Sequence, residues 1–420
     1  MTRATLTLRV TAFVCYVAAF AWTAQAQGPR SDGGPEKAEG LRERITKDIK
    51  KWDSITDHRT GSEGDDATAE WLADEIRAVG LKPHLDRFEF QRRVLKECSV
   101  VVGGTRIEGV PLFDGGFTGR EAIRTKLGGP GEAGTIALIH YATANHAAIE
   151  KLMADRKRTE HPAMVAVGPE NAIAPGLVLL NAEAYNHPYG SPVLQVSSEH
   201  AKLLEMGLES GQEVEFKAHV ELEDSIATNV QVTIQGKQRE LSPLVIMTPR
   251  SAWWTCTSER GGGITVWLEC IRQFAASAPA RDVILIATTG HELSHLGLSH
   301  FLRKNESLVK DAHAWIHLGA NCGARDGRLV VQASSDRYME MMLAQLQAQG
   351  DAELIVVPVG KRPLGEARNI FDGQGQFVAI LGTNPLFHHP HDRWPHAVDL
   401  QRTEALTRGL LQIARQLAEE

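Results

Sequence analysis

Histidine side chains are concentrated in two short windows of this 420-residue sequence, and they are the residues best suited to chemistry near neutral pH. The sequence has 17 histidines, and nine of them fall within residues 291–317 and 388–396. Imidazole titrates near neutral pH and is also a common metal ligand, so the two windows predict an acid–base site or a metal site. Acidic side chains lie within both windows, as Glu292 and Asp392. We therefore expect the functional site where the two windows meet.

The string HELSH at residues 291–295 matches the HExxH pattern of zincin proteases. In those enzymes the pattern lies inside a helix, where two histidines face one metal ion and the glutamate activates its water. Here the string follows an apolar run at 283–289 through Gly290, so His291 is expected at the start of a helix. The sequence also lacks the extended pattern that supplies a third histidine. It therefore does not favour a zincin site, and a solvated side chain is the plainer interpretation of His295.

The elements that would position these windows alternate along the chain after residue 229. Apolar runs of strand length occur at 243–247, 282–288, 314–318, 353–359 and 377–381. Helical periodicity occurs at 264–275, 293–303, 337–348 and 400–418. This alternation predicts an α/β fold, with a mostly parallel central sheet and helices on both faces. Ligands of such sheets bind beyond the carboxyl ends of the strands, and both histidine windows reach loops at those ends.

The chain before residue 229 divides by composition. Residues 1–26 have the basic start, short apolar run and small-residue end of a signal peptide, so a secreted or periplasmic protein is expected. Residues 27–39 are rich in glycine, proline and charge and predict a flexible linker. Residues 95–225 break into short β-rich pieces, one of which is 176–182, and predict an inserted module with its own core. The remaining residues would form the main domain, at 40–94 and 226–420.

Charge and composition limit the partners. The chain has 45 Lys and Arg against 52 Asp and Glu, a net charge of −7, so we expect no nucleic-acid partner. The apolar run near the start is shorter than a membrane span, so no membrane association is expected after the signal peptide is cleaved.

Four later cysteines at irregular spacing allow either disulfides or buried free thiols. They are Cys98, Cys256, Cys270 and Cys322. The oligomeric state stays open.

Five short motifs follow one another along the main domain, and they are informative as a set. They are RTGS at 59–62, TNV at 228–230, ERGGG at 259–263, GHEL at 290–293 and FHHPHD at 387–392. Together they resemble the co-catalytic zinc aminopeptidases of metallopeptidase family 28, and GSPV at 190–193 is similar to that family's protease-associated domain. The resemblance implies a zinc-aminopeptidase-like α/β fold, with a peptidase-like catalytic domain at 40–94 and 226–420. It also implies a β-rich, protease-associated-like insertion at 95–225.

The same resemblance shows which parts of the family's metal site are missing. The family holds two zinc ions with five ligands and uses a free glutamate as the general base. Matched position by position, three ligand-competent side chains are retained, and they are Glu259, Glu292 and His388. Thr248 and Gly319 stand where two further ligands would be, and His291 stands in place of the glutamate that acts as the general base. The chain therefore cannot hold two zinc ions in the manner of the family.

Three ligands would still hold one zinc ion, because a catalytic zinc commonly has three protein ligands and a water. The resemblance thus implies a single ion held by Glu259, Glu292 and His388, similar to the single-zinc glutaminyl cyclases that share this fold. His291 would then be the catalytic acid or base. Arg250 would replace positive charge lost with the second metal, or bind a carboxylate of the substrate.

Three functions are consistent with these residues. The first is an exported hydrolase that resembles zinc aminopeptidases and acts on peptide or small amide substrates with a reduced metal site. The second is a catalytically inactive, peptidase-like binding protein. The third is a single-zinc cyclase or another amide-processing enzyme. A metal-free enzyme with a nucleophile at Ser251, Cys256 or Ser258 is a further alternative, but the sequence has no GxSxG elbow to support it.

Overall fold

The computed structural model of the chain describes residues 35–141, 146–168, 174–350 and 354–420. The predicted signal peptide, residues 1–26, lies outside these ranges. The predicted linker, residues 27–39, ends earlier than expected, because the first helix begins at Pro35. Proline suits the first turn of a helix, and the glutamate, lysine and alanine that follow it are good helix formers. Within the described ranges, no helix has the length and apolarity needed to cross a membrane.

Helices and strands alternate through most of the described residues. The helices are α1 (Pro35–Ser54), α2 (Glu63–Ala78), α3 (His146–Arg158), α4 (Ala201–Ser210), α5 (Thr257–Ala276), α6 (Leu296–Lys304), α7 (Leu308–Asp311), α8 (Asp336–Gln347), α9 (Ala367–Asp372) and α10 (Leu400–Glu419). The strands are β1 (His84–Val102), β2 (Thr105–Pro111), β3 (Ile123–Gly128), β4 (Ile136–His140), β5 (Met164–Val167), β6 (Val193–Val196), β7 (Glu213–Ile234), β8 (Leu244–Pro249), β9 (Val283–Thr288), β10 (Ala314–Leu318), β11 (Leu329–Ala333), β12 (Leu354–Val356) and β13 (Phe377–Gly382). The sequence patterns miss β3, β11, α7 and α9.

The centre of the sheet consists of parallel strands in the order β9-β8-β10-β13. Successive residues of β8 point to opposite faces of this sheet. Leu244 and Ile246 pack in the larger core with α2, α5, α8 and α10, whereas Val245 and Met247 pack against α6 and α9. Burial of both faces is why these strands are continuous apolar runs in the sequence. The predicted α/β fold, with a mostly parallel central sheet between helices, is confirmed.

Helix α5 is the central helix, and nearly all of its side chains are buried. Two of its glycines allow it to approach the strand ends closely. A Cβ atom on Gly262 would lie 2.6 Å from the backbone nitrogen of Gly323, and one on Gly263 would lie 2.8 Å from Oγ1 of Thr248. Neither position has room for a side chain, so the glycine run is required for packing. It brings the first turn of α5 against the carboxyl ends of the central strands.

Two long strands, β1 and β7, run from the central sheet into the part of the chain predicted as an insertion, which we call the inserted module. They pair antiparallel over almost their whole length, with one irregularity between Leu95 and Glu97. β7 also pairs with β9 of the central sheet at one end and with β3 of the module at the other. The predicted limits of the insertion, residues 95–225, fall inside these two strands. The division into domains, and the protease-associated-like character of the insertion, therefore stay predictions.

One piece of the inserted module differs from its predicted structure. Residues 176–182 form no strand, although the apolar run favours one. Side chains bind their backbone groups instead. The amide of Leu180 donates to Oε1 of Gln195 at 2.7 Å, and the indole Nε1 of Trp254 donates to the carbonyl oxygen of Leu177 at 3.1 Å. We call residues 174–182 the covering segment, because they lie over the strand ends of the main domain.

His58 is a buried histidine of the main domain. Its ring stacks on Trp52 with centroids 3.7 Å apart, and its Nδ1 lies 3.0 Å from Oγ1 of Thr68. Burial outweighs a hydrogen bond to the carbonyl oxygen of Trp52 and lowers the pKa of His58 to about 3. The folded chain therefore keeps this imidazole neutral at pH values at which the unfolded chain protonates it.

Acidification is expected to destabilise the native state through His58. The unfolded chain binds a proton as the pH falls through 6.5, whereas the folded chain does so only near pH 3, so stability is lost across that interval. Between pH 7 and pH 5 this linkage is worth about 2 kcal/mol. Urea unfolding at both pH values should show a loss smaller by about 2 kcal/mol in His58→Gln than in the natural chain. An equal loss in the two chains would contradict a neutral, buried His58.

Candidate functional site

A serine and two glutamates meet at the ends of β8 and β9. Ser251 is the second residue after β8, and its Oγ donates a hydrogen bond of 2.6 Å to Oε2 of Glu292, in the loop after β9. The same Oγ accepts a hydrogen bond of 3.1 Å from the backbone nitrogen of His291. Glu259 reaches the site from the first turn of α5. The hydroxyl of Ser251 thus orients Glu292, which gives it a different role from the nucleophile considered from the sequence.

Arg260 lies between the two glutamates. Its Nη2 donates a hydrogen bond of 2.7 Å to Oε1 of Glu292 and lies 2.9 Å from Oε1 of Glu259. Its Nε donates to the carbonyl oxygen of Ser251 at 2.7 Å, which fixes the direction of the guanidinium. All three ionic side chains are at most 3% exposed. A guanidinium stays charged in proteins, so a permanent cation is shared by two buried carboxyl groups.

The ionisation of Glu259 depends on this cation. Burial alone would raise the pKa of Glu259, but the charge of Arg260 and the contact with His388 outweigh it and lower the pKa to about 2. Glu259 is therefore a carboxylate at neutral pH. Sequence reasoning missed Arg260, and the available signal was a basic residue directly after Glu259, where the family that the sequence resembles has asparagine.

His388 lies on the other side of Glu259, with its Nε2 3.5 Å from Oε1 of that residue. Its Nδ1 is 2.6 Å from the carbonyl oxygen of Leu179, so Nδ1 carries a proton and donates it to the covering segment. Its Nε2 and both carboxylate oxygens of Glu259 are buried without a hydrogen-bond partner. The backbone of His388 is left-handed, with φ 58°, a conformation that costs energy in a residue with a side chain.

The covering segment closes the site on the side of His388. The backbone nitrogen of Ala182 donates to the carbonyl oxygen of Glu292 at 2.8 Å, and Nε1 of Trp253 donates to Oδ1 of Asn181 at 3.0 Å. The partners in these two contacts, Glu292 and Trp253, lie in loops at the strand ends of the main domain. As a result, Glu259 and His388 are buried beneath a part of the inserted module. The sequence does not indicate how deeply they lie, because the apolar run of this segment predicts a strand of a separate core.

The hydrogen bonds of Arg250 are made to residues outside this cluster. Its Nη1 donates to Oδ1 and to the carbonyl oxygen of Asp65, both at 2.7 Å, and its Nη2 donates to the carbonyl oxygen of Thr228. Both Arg250 and Asp65 are fully buried. Burial raises the pKa of Asp65 to about 6 despite the opposing charge of Arg250. This placement does not fit the clamp for a substrate carboxylate that the sequence suggested, because the guanidinium already holds Asp65.

His291 belongs to a second buried group that includes Glu366. Its Nδ1 lies 3.2 Å from Oε1 of Glu366, whose carboxylate also accepts from Oγ1 of Thr288 at 2.9 Å. The ring of His291 stacks on His295 with centroids 4.9 Å apart, in turns that precede α6. The HExxH string is therefore outside a helix, as expected, but His295 is buried rather than solvated. Burial and Arg260 lower the pKa of His291 well below its ordinary value, so the ring is neutral at pH 7.

The three predicted zinc ligands are brought together, but around a side chain. Zinc in proteins is held by nitrogen and oxygen atoms at about 2.0–2.2 Å, which converge on one point. The carboxylates of Glu259 and Glu292 converge instead on Nη2 of Arg260, at 2.9 and 2.7 Å. A guanidinium at that point excludes a metal ion by volume and by charge. With Arg260 in this position, the residues present do not fit a zinc ion.

Another buried group with metal-ligating atoms includes Glu259, together with Cys256 and Asp392. Asp392 accepts from the backbone nitrogens of Ser258 and Glu259 at 2.8 and 3.0 Å, so its carboxylate caps the start of α5. Burial and the charge of Glu259 raise the pKa of the Cys256 thiol well above its usual range, whereas metals bind the thiolate. The group is therefore arranged for helix capping. Cys256 and the other three cysteines considered above are buried free thiols.

A pocket with a volume of about 330 Å³ lies between the strand-end loops and the inserted module. Glu292 contributes to its wall next to Trp253 and Leu293, and Phe113 and Tyr185 contribute from the module. Glu259 and His388 are not among its lining residues. The pocket therefore reaches the ionic cluster through Glu292.

Comparisons with known proteins agree with the described architecture. No family model and no curated protein matches the sequence. The zinc aminopeptidase BSAP from Bacillus subtilis has a similar structure, with a TM-score of 0.71 at 16% identity over 91% of this chain and 95% of that one. A peptidase M28 precursor from Shewanella amazonensis SB2B gives 0.71 at 12% identity, over 92% and 96% of the two chains. An aminopeptidase from Aneurinibacillus sp. strain AM-1 gives 0.65 at 14% identity, over 91% and 94%. The resemblance drawn from the sequence motifs is thus confirmed for the fold, which is that of the zinc aminopeptidases.

Proposed function

We propose that the protein binds peptides or small amides in the pocket of a zinc-aminopeptidase fold, and that it does so without metal-dependent hydrolysis. Arg260 takes the place of the metal in this proposal. The fold is shared with proteins described as aminopeptidases, which favours a peptide or amide as the ligand. Export is part of the proposal and rests on the signal peptide expected at residues 1–26.

The contact of Arg260 with both carboxylates is the observation that carries the proposal. Glu259 and Glu292 need a cation, because two buried carboxylates that contact the same nitrogen atom repel each other and are poorly solvated. A metal ion would supply that charge in an aminopeptidase, and it would also polarise the substrate. The guanidinium of Arg260 supplies the charge alone, at 2.9 and 2.7 Å. The architecture of the site is then kept, while the Lewis acid is lost.

The residues that replace the rest of the machinery support the same conclusion. Thr248 stands at the position of a lost ligand, and its Oγ1 donates to the carbonyl oxygen of Leu318 at 3.0 Å. His291 stands at the position of the general base, and its Nδ1 is held by Glu366. Both side chains thus have structural partners inside the fold.

A hydrolase or other amide-processing enzyme with one zinc ion is the second candidate. It is favoured by three buried atoms without a hydrogen-bond partner, which are both carboxylate oxygens of Glu259 and Nε2 of His388. Such atoms are rare in native proteins and are typical of a site that holds a further group. This candidate requires the side chain of Arg260 to leave the position between the two glutamates. Glu259, Glu292 and His388 would then be the ligands.

Elemental analysis of protein purified without chelator separates the two candidates. We expect zinc far below one ion per chain, and no turnover of leucyl arylamides, because Arg260 fills the site. About one zinc ion per chain with measurable turnover would establish the hydrolase and overturn the proposal. His388→Ala serves as the internal check, since it removes a ligand of the hydrolase but none of the hydrogen bonds of Arg260. Its zinc content should equal that of the natural chain if the proposal is correct.

A further inference from the structure

The wall of the pocket contains more positive than negative charge once internal ion pairs are counted. Asp57 and Glu292 are its acidic residues. Asp57 holds Arg59 through two hydrogen bonds, of 3.0 Å to Nε and 3.1 Å to Nη2. Glu292 is held by Arg260 and by Ser251. Asp57 is therefore paired with a cation of its own, and Glu292 shares Arg260 with Glu259.

Two further arginines of the wall, Arg92 and Arg93, bind backbone carbonyl groups. Nη1 of Arg92 donates to the carbonyl oxygen of Gly61 at 2.6 Å, and Nη2 of Arg93 donates to that of Tyr185 at 2.7 Å. Neither forms an ion pair with any carboxylate of the described residues. Glu223, which lies opposite Arg92 in the β1–β7 ladder, is 3.5 Å from Lys96 instead. The wall thus carries two partly buried cations without counter-ions.

Arg93 also has an unused donor. Its Nε is buried and has no hydrogen-bond partner in the described residues, while its guanidinium stacks on the ring of Tyr185 at 3.9 Å. Stacking holds the plane of the guanidinium in a fixed orientation. A buried donor without a partner is costly, and an oxygen of a bound ligand would relieve that cost.

Apolar side chains complete the wall beside the two arginines. Phe113 and Trp253 have ring centroids 5.5 Å apart, and Leu95 and Leu293 lie with them around the same cavity. Aromatic surfaces of this kind bind apolar side chains with a defined orientation. The pocket therefore combines a cationic part with an apolar part within about 330 Å³.

From these features we infer that the pocket binds an anionic peptide, one that presents a carboxylate to Arg92 and Arg93 and an apolar side chain to the aromatic wall. The inference rests on the proposed function and adds the chemical class of its ligand. Guanidinium groups bind carboxylates through paired, charge-assisted hydrogen bonds, which gives both strength and direction. The carboxylate belongs either to the C-terminus of the peptide or to an acidic side chain.

Calorimetric titration with four matched peptides tests the inference and distinguishes these sources. The peptides are N-acetyl-Phe-Glu, N-acetyl-Phe-Gln and the C-terminal amides of both. We expect the neutral peptide, N-acetyl-Phe-Gln amide, to bind about tenfold to a hundredfold more weakly than the best of the others, as loss of charged hydrogen bonds predicts. The two singly charged peptides show whether the C-terminal or the side-chain carboxylate is bound.

Variants on the same strand connect the preference to the two arginines. Arg92→Gln with Arg93→Gln should remove the preference for charged peptides, and Arg92→Lys should retain part of it. Arg87→Gln is the matched control, because Arg87 lies on β1 outside this pocket and 3.6 Å from Glu70. Thermal melting of each variant shows whether it is folded.

The possible results separate this inference from the proposed function. Equal affinity for all four peptides would overturn the inference and leave the proposed function in place. A preference that survives in the folded double variant would also overturn it. If no peptide binds to the natural chain, the proposed function fails together with the inference.

Discussion

Replacing Arg260 by methionine is expected to destabilise the native state by about 3–5 kcal/mol, because two buried carboxylates lose their shared cation. Methionine keeps most of the length of the side chain, so the loss reports charge more than packing. Urea unfolding at neutral pH measures it. Adding Glu292→Gln to the variant should recover part of the loss, since one of the two uncompensated charges is then removed.

The same variant tests what the position of Arg260 is suited to hold. With the guanidinium removed, zinc should raise the melting temperature of Arg260→Met, because an ion that binds only the folded state stabilises it. Zinc should leave the natural chain unchanged. Arg77→Met is the control for the substitution itself, since Arg77 forms an exposed ion pair with Asp74 and should cost less than about 1 kcal/mol. Full stability and no response to zinc in Arg260→Met would show that the two glutamates do not depend on this cation.

Replacing Asp65 by asparagine is expected to cost about 3–5 kcal/mol, because it leaves the fully buried guanidinium of Arg250 without its carboxylate. Arg250→Met should cost less. The carboxyl group left behind can take up a proton, as its pKa of about 6 already indicates, whereas a guanidinium cannot lose one. Denaturant unfolding of both single variants measures the difference.

The double variant of Asp65→Asn and Arg250→Met completes the cycle. It should be more stable than Asp65→Asn alone, because no unpaired charge remains in the core. Additive losses in the double variant would contradict a direct ion pair. The result also bears on the candidate site, since Arg250 connects the first turn of α2, at Asp65, to the end of β8.

The arrangement of the central sheet could be predicted from the sequence because its signals are local. Strands buried on both faces give continuous apolar runs, and four of the helices have a clear apolar period. β11 was missed, although Leu329–Ala333 is buried, because it is short and was not separated from its flanking loops. Residues 176–182 show the converse case. They form an apolar run, but side chains rather than a neighbouring strand bind their backbone groups.

The site was predicted less completely, because it depends on contacts between distant residues. The motifs indicated that Glu259, Glu292 and His388 belong together, and the structure brings them together. The direction of the Arg260 side chain could not be predicted, since it is set by the carbonyl oxygen of Ser251 and by Glu292, which lies 32 positions further along the chain. Glu366 was missed for a similar reason, because it stands outside any motif and meets His291 only in the folded chain.

The ribbon of β1 and β7 has a mechanical consequence for the pocket. Both strands continue from the central sheet into the inserted module, so the two parts are joined by a paired two-stranded ribbon and not by a flexible linker. The pocket can widen only if this ribbon bends. Bending breaks the fewest ladder bonds at the irregularity between Leu95 and Glu97, where pairing is already interrupted, and Leu95 itself lines the pocket. We therefore expect the stiffness of the β1–β7 ribbon to limit how far the pocket opens. A ligand larger than the pocket would have to supply the free energy that bends the ribbon.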